Sequence, residues 1–312
     1  MSTLLKLRVS ELPPAVSGCL IAEPSDVASQ NVVSSIAWQL TLEGMAKPTS
    51  YRPAGIPKEE ASTVASRDAY RDDRQFRPMH MKVGVLNRAV GSAYIEACNT
   101  KIMCAVYGPR QVEKAKYSEK GRLKCDLRYT SVTSPELERH RRTTEEKDPS
   151  QQIHRALEVS VRLDKYPKSV IDVFIIVLDS DGAVLPLSIT CAALALADAG
   201  IEMYDMVAAC SVLKLGPRII IDPTEQEEEL AATQAAECDA QSNVGSLGGS
   251  LMVAYMPSLS LVTQMIQTGE LEVDMLSTEM MGFCVDGCSQ LHHKMRDCLV
   301  NDAMATSENG AC

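Results

Sequence analysis

The run Val170 to Leu178, nine residues dominated by β-branched and large aliphatic side chains, constrains this 312-residue chain more than any other stretch. A continuous run of that kind suits a strand inside a sheet, where both neighbours and a covering layer remove it from water. It stops at Asp179-Ser180-Asp181-Gly182, four residues that each favour a turn. The Ala-rich segment Leu187 to Ala199 that follows reads as a helix, and Gly200 stands at the C′ position, where a residue without Cβ tolerates a left-handed backbone. Strand, turn and small-residue helix in that order predict a helix lying closely on a sheet, in an α+β domain.

Around this nucleus the pattern repeats. Ser92 to Cys98 and Lys101 to Tyr107 predict antiparallel strands joined tightly at Asn99-Thr100, with Gly108-Pro109 ending the second. Leu123 to Arg128 predicts another strand, and Thr130 to Pro149 a polar loop. Ile153, Leu157 and Val161 mark an amphipathic helix capped by Asp148 or Ser150. Met206 to Leu213 and Arg218 to Asp222 flank Gly216-Pro217 as a hairpin, Leu251 to Met256 and Leu261 to Gln267 predict strands, and Val273 to Val300 is the longest helical candidate. Residues 1–70 read as an extension or partner-binding arm, 71–303 as the folded domain, 231–250 as a loop insertion and 304–312 as a tail. Gly245, Gly248 and Gly249 belong to that loop, because no Lys-Ser or Lys-Thr follows them as a phosphate cradle requires.

Charge is segregated along the chain. The formal net charge is −10, yet residues 71–142 hold 16 Lys and Arg against 8 Asp and Glu, and the remainder holds 15 against 33. One basic surface facing a polyanion fits that distribution. Aromatic residues make up only 4%, which argues against a platform for stacking bases. No apolar run is long enough to span a bilayer and no secretory pattern opens the sequence, so an intracellular protein with reduced thiols is expected. Cys284, Cys288, His292 and Cys298 line one side of the last helix, where ligands stacked along a single axis cannot enclose a metal. No metal or other cofactor is expected. Arg139, His140, Arg141 and Arg142 form a short basic cluster in the polar loop, read as a solvated loop or as an RNA or partner contact.

Three blocks carry a resemblance. RPMHMKVGVLNRAVGSAYIEACNTKIMCAVYGPR from Arg77 to Arg110, LPLSITCAALALADAGIEMYDMVAACS from Leu185 to Ser211, and DPTEQEEEL from Asp222 resemble the RNase PH family. The resemblance implies a two-layer α+β domain of mixed sheets and packed helices that associates side by side into six-membered rings, with single-stranded RNA threading the channel. Within the family the chain is most similar to a ring subunit of the eukaryotic RNA exosome. That implies a hexameric ring of RNase PH-like subunits, an RNA-binding cap subunit and associated catalytic ribonucleases as partners, with roles in RNA degradation and RNA processing, including that of rRNA. It implies a nuclear, nucleolar and cytoplasmic location, away from membranes.

The same resemblance points to a degraded active site. Arg110, in the G-P-R motif, matches one family phosphate-binding arginine, but Pro149 stands where the second belongs. Of an Asp-x-Asp-x-x-x-Asp arrangement, Asp222 remains, Thr224 takes the second place and Glu228 the third. Phosphorolysis needs a phosphate held by cations and a neutralised transition state, so a non-catalytic subunit is expected, with an active phosphate-dependent 3'-to-5' exoribonuclease as the alternative. The acidic string Glu225, Glu227, Glu228, Glu229 reads more simply as a solvated helix start or turn than as a metal site. Arg110, Arg122, Lys124 and Arg128 are the candidate RNA contacts, expected to touch phosphates rather than bases.

Overall fold

A computed structural model describes residues 71–111, 119–130, 144–215, 218–238, 249–269, 271 and 279–309. The 1–70 arm, the basic cluster at 139–142 and the Gly216-Pro217 turn lie outside those residues. Two sheets carry the fold. The first has the order β1-β2-β3-β5-β4, built from β1 (Met79–Val83), β2 (Gly91–Ala97), β3 (Thr100–Gln111), β4 (Arg122–Tyr129) and β5 (Ser169–Asp179). The second has the order β7-β6-β8-β9, from β6 (Ala208–Leu215), β7 (Arg218–Ile221), β8 (Gly249–Met256) and β9 (Leu261–Gly269), and is antiparallel throughout. In the first sheet only β4 and β5 are parallel, and the helix α1 (Thr144–Glu158) falls between them in the chain as their crossover.

The helix α2 (Val184–Asp198) is the shared core. Residues 186–196 are buried without interruption, because β2 and β3 pack on one side of it and β6 on another. A helix covered all round needs small side chains where backbones approach closely, and Ala192, Ala193 and Ala195 provide them. At Gly91 in β2, an added Cβ would sit 2.3 Å from the Ala199 nitrogen. The helix ends as its sequence predicts. Gly200 has φ +66°, its N–H donates to Ala197 O at 3.0 Å, and the Ile201 N–H reaches Leu196 O at 3.2 Å, which satisfies two terminal carbonyls.

β5 is interior, between β3 and β4, but the covering layer lies on one face only. Ile171, Val173, Ile175 and Val177 are fully buried, whereas Phe174 and Ile176 point outward. Five boundaries differ from the sequence expectation. The β2–β3 connection is Cys98-Asn99, since Ala97 pairs with Thr100, and Cys98 takes φ +52°. β3 continues past the cis Gly108–Pro109 bond as an irregularity in register and ends at Gln111. Helix α1 starts at Thr144, inside the expected loop, so neither Asp148 nor Ser150 caps it and Pro149 lies within it. Pro149 is the sixth residue of the helix, in its second turn, and forgoes one helical bond, that to the Glu145 carbonyl.

The fourth difference concerns 231–250, expected as a loop. Helix α3 (Glu225–Cys238) takes its first eight residues, because Ala-rich sequence is a strong helix former behind a good cap, and Gly249 already belongs to β8. The last helix, α4 (Met281–Asn309), likewise runs through most of the expected 304–312 tail. No proline interrupts it, and it runs through Gly282 and Gly287 in its first two turns. Its Cys284 and Cys288 are buried against the second sheet, where their thiols donate to the Leu251 and Val253 carbonyls. Burial pushes the Cys284 thiol up to about 12. His292 faces Asp205 at 3.3 Å instead of joining those cysteines.

Candidate functional site

Asp222 follows β7 with φ +54° and is almost fully buried. Its carboxylate accepts Arg77 Nη2 at 2.8 Å on one oxygen, and Arg77 Nε at 3.0 Å and the Arg77 backbone N–H at 3.1 Å on the other. Arg77 is equally buried and also donates to the Asp181 carbonyl, at the turn that ends β5. Burial opposes the Arg77 charge, but the hydrogen bonds and attraction of Asp222 outweigh it and raise the pKa above the ordinary arginine value. Arg71 adds bonds to the carbonyls of Ile221 and Asp222. The pair thus ties the strand entering β1 to the end of β7, across the two sheets.

Thr224 and Glu227 close the start of α3 reciprocally. The Thr224 N–H donates to Glu227 Oε2 at 2.9 Å and the Glu227 N–H to Thr224 Oγ1 at 3.4 Å, which is a capping box. Glu228 accepts the Ala183 N–H at 3.2 Å, at the start of α2. Its side chain reaches the surface, yet protein crowds the carboxyl, and that crowding pushes its pKa up to about 7 against the lowering by Ala183 and Arg77. The surface exposure limits how much this matters energetically, and the direction follows from the crowding. These groups do not fit a divalent cation. Asp222 has both oxygens engaged by a guanidinium, Thr224 and Glu227 face a helix terminus, and among the described residues no three His, Cys, Asp or Glu gather as a ligand set.

Arg110 is elsewhere. It stands opposite Val170, near the start of β5, and Nη2 lies 2.6 Å from Asp172 Oδ2. Asp222 sits by the turn after Asp179, so the two are separated by most of a strand, roughly 23 Å at ~3.3 Å per residue. Arg110 instead joins the other cations. In β4, Arg122, Lys124 and Arg128 are exposed and alternate with Leu123, Cys125 and Leu127 on the core side. Arg122 pairs with Val170 from the opposite edge of β5, Lys124 with Asp172 and Arg128 with Ile176, so all four candidate RNA residues share the outer face of the first sheet. Pro149 carries no charge, while neighbouring Ser150 accepts the Leu127 N–H and His154 donates to the Leu123 carbonyl. Those two bonds close part of the free edge of β4.

Residues 75–202 match the 3' exoribonuclease family, domain 1, and residues 205–277 match its domain 2. The chain belongs to the RNase PH family. Among relatives, it is 38% identical over 274 residues to the exosome complex component RRP41-like of Arabidopsis thaliana, spanning 84% of this chain and 99% of that one. It is 36% identical over 267 residues to human exosome complex component MTR3, covering 79% and 91% of the two chains, and it resembles mtr3 of Schizosaccharomyces pombe at the same identity over 212 residues. The fold of this RNase PH chain matches two solved structures. Rice Rrp46 superposes with a TM-score of 0.60 at 22% identity, over 74% of this chain and 98% of that one. The Archaeoglobus fulgidus exosome with RNA bound to the active site gives 0.59 at 19%, over 74% and 92%.

Sequence reasoning on this RNase PH chain missed Arg77 as the partner of Asp222, although Arg77 opens the family block. It also missed Asp126 and Asp172, which carry Arg128 and Arg110. The signal for both was strand alternation, which puts Lys124, Asp126 and Arg128 on one face.

Proposed function

We propose that the chain is a non-catalytic ring subunit of an RNA exosome core, contributing to the RNA path while associated nucleases carry out 3'-to-5' processing and degradation. The observation that carries the inert reading is the Arg77–Asp222 pair: the one family carboxylate retained in its original form is buried and fully engaged. The similarity to components named MTR3 supports membership in an exosome. On this reading its partners are other RNase PH-like subunits in a six-membered ring, an RNA-binding cap subunit and the nucleases, in the nucleus, nucleolus and cytoplasm. The domain begins at 71 and continues to the end of α4 at Asn309, and Arg110, Arg122, Lys124 and Arg128 contact phosphates of single-stranded RNA.

Isolation of the assembly through a tagged full chain, followed by mass spectrometry, tests this directly. Other exosome ring subunits in fixed ratio are expected, and recovery of the chain as a lone, monodisperse monomer contradicts the proposal. A second reading, an active phosphate-dependent 3'-to-5' exoribonuclease, is favoured by one observation: Arg110 stays largely exposed although it is bonded to Asp172.

A further inference from the structure

Tyr107 of β3 and Phe174 of β5 meet edge to face on the outer side of the first sheet, with ring centroids 5.9 Å apart. They are 39% and 37% exposed, and Ile176 beside them is 43% exposed, which is unusual for large apolar side chains at the middle of a sheet. The four cations border them on two sides. Arg122, Lys124 and Arg128 form a row along β4, at successive outward positions ~6.6 Å apart for the first two. Arg110 flanks the pair from the end of β3. Asp172 and Asp126 lie buried beneath Arg110 and Arg128 and hold those guanidiniums in place, while the arginine side chains remain 67% and 56% exposed.

We propose that Tyr107 and Phe174 form a base-stacking platform for single-stranded RNA, with Arg110, Arg122, Lys124 and Arg128 holding the flanking phosphates. The inference rests on the reading of this chain as part of an RNA path and adds a site for the bases to it. Sequence-tolerant binding of single strands combines a basic track with aromatic faces in this way. Protein-docking faces are depleted of charge at their centre, whereas here cations border the aromatic pair on two sides. Strand addition at β4 is hindered, because Ser150 and His154 already bond to its Leu127 N–H and Leu123 carbonyl. The low aromatic content argued against such a platform, but what matters is that two of the thirteen aromatic residues meet on one open, basic face.

The test is fluorescence anisotropy of a labelled oligouridylate with the full chain in its assembly, in wild type and in the variants Tyr107→Ala, Phe174→Ala and Phe174→Leu. Each variant is expected to weaken binding by about tenfold with the salt dependence unchanged, and Phe174→Leu does so although it keeps the apolar volume. An abasic ribose-phosphate oligomer is expected to bind wild type and Phe174→Ala alike. Arg122→Ala with Lys124→Ala is expected to flatten the log-log salt slope by about 1.4. Unchanged oligouridylate affinity in the aromatic variants overturns the platform and leaves the RNA-path reading standing. Loss of a protein subunit from the assembly in those variants makes the face a protein interface and also overturns it. No RNA binding by the wild-type assembly overturns both.

Discussion

At Asp222 two unfavourable features coincide, a left-handed backbone in a residue with a Cβ and a carboxylate removed from water, and the buried guanidinium of Arg77 compensates the second. Asp222→Asn keeps the shape and tolerates the backbone but strands the Arg77 charge. It is expected to lower stability by about 3–5 kcal/mol in a denaturant titration, because a buried charge without its partner is strongly destabilising; a loss under about 1 kcal/mol refutes the structural role. Glu228 behaves differently. Its carboxyl is raised from the usual 4.5 to about 7, first by burial, so the folded state prefers the protonated form. That contribution is complete below pH 4.5 and is lost as pH rises through 7. Glu228→Gln is therefore expected to melt above wild type at pH 8, with the gap closing toward pH 4.5, and a gap independent of pH contradicts the assignment. No local pattern in the sequence reveals that Arg77, 145 residues earlier, is the partner of Asp222.

Among the elements, α2 was the most legible, since its small residues, preceding turn and Gly200 all point to one structure. Helix α3 was misjudged for a reason that can be named. Ala-, Gly- and Ser-rich composition between 231 and 250 suggested a loop, and although the acidic string before it was read as a helix start or turn, the Thr224–Glu227 capping box that launches a helix as far as Cys238 went unread. Strand alternation in β4 was equally available and would have placed Arg122, Lys124 and Arg128 on a single face. Two glycines at the ends of these elements separate steric from conformational demand. At Gly200 nothing lies within 4 Å of an added Cβ, so Gly200→Ala meets only the left-handed φ and costs about 1–2 kcal/mol. At Gly91 the Cβ meets α2 backbone at 2.3 Å and 2.4 Å, which no rotamer relieves. Thermal denaturation is expected to rank Gly91→Ala well below Gly200→Ala, and equal melting temperatures contradict the close packing of β2 on α2.

For the whole molecule, the charge imbalance read along the chain becomes a geometric one. Part of the excess of cations between residues 71 and 142 lies on the outer face of the first sheet, and the acidic residues that remain near it, Asp126 and Asp172, are buried under arginines. The family resemblance implied that Arg110 and Asp222 belong to one vestigial site. In the fold Arg110 pairs at the start of β5, whereas Asp222 reaches the turn after the end of β5 through Arg77. On the proposed reading the acidic positions hold the two sheets together and do no chemistry. The most direct measurement is nucleoside diphosphate release from single-stranded RNA with magnesium and orthophosphate, using the assembly that contains the full chain without the associated nucleases. Release no greater than in a phosphate-free control is expected; phosphate-dependent release that disappears with Glu228→Gln in this chain contradicts the structural role of these residues.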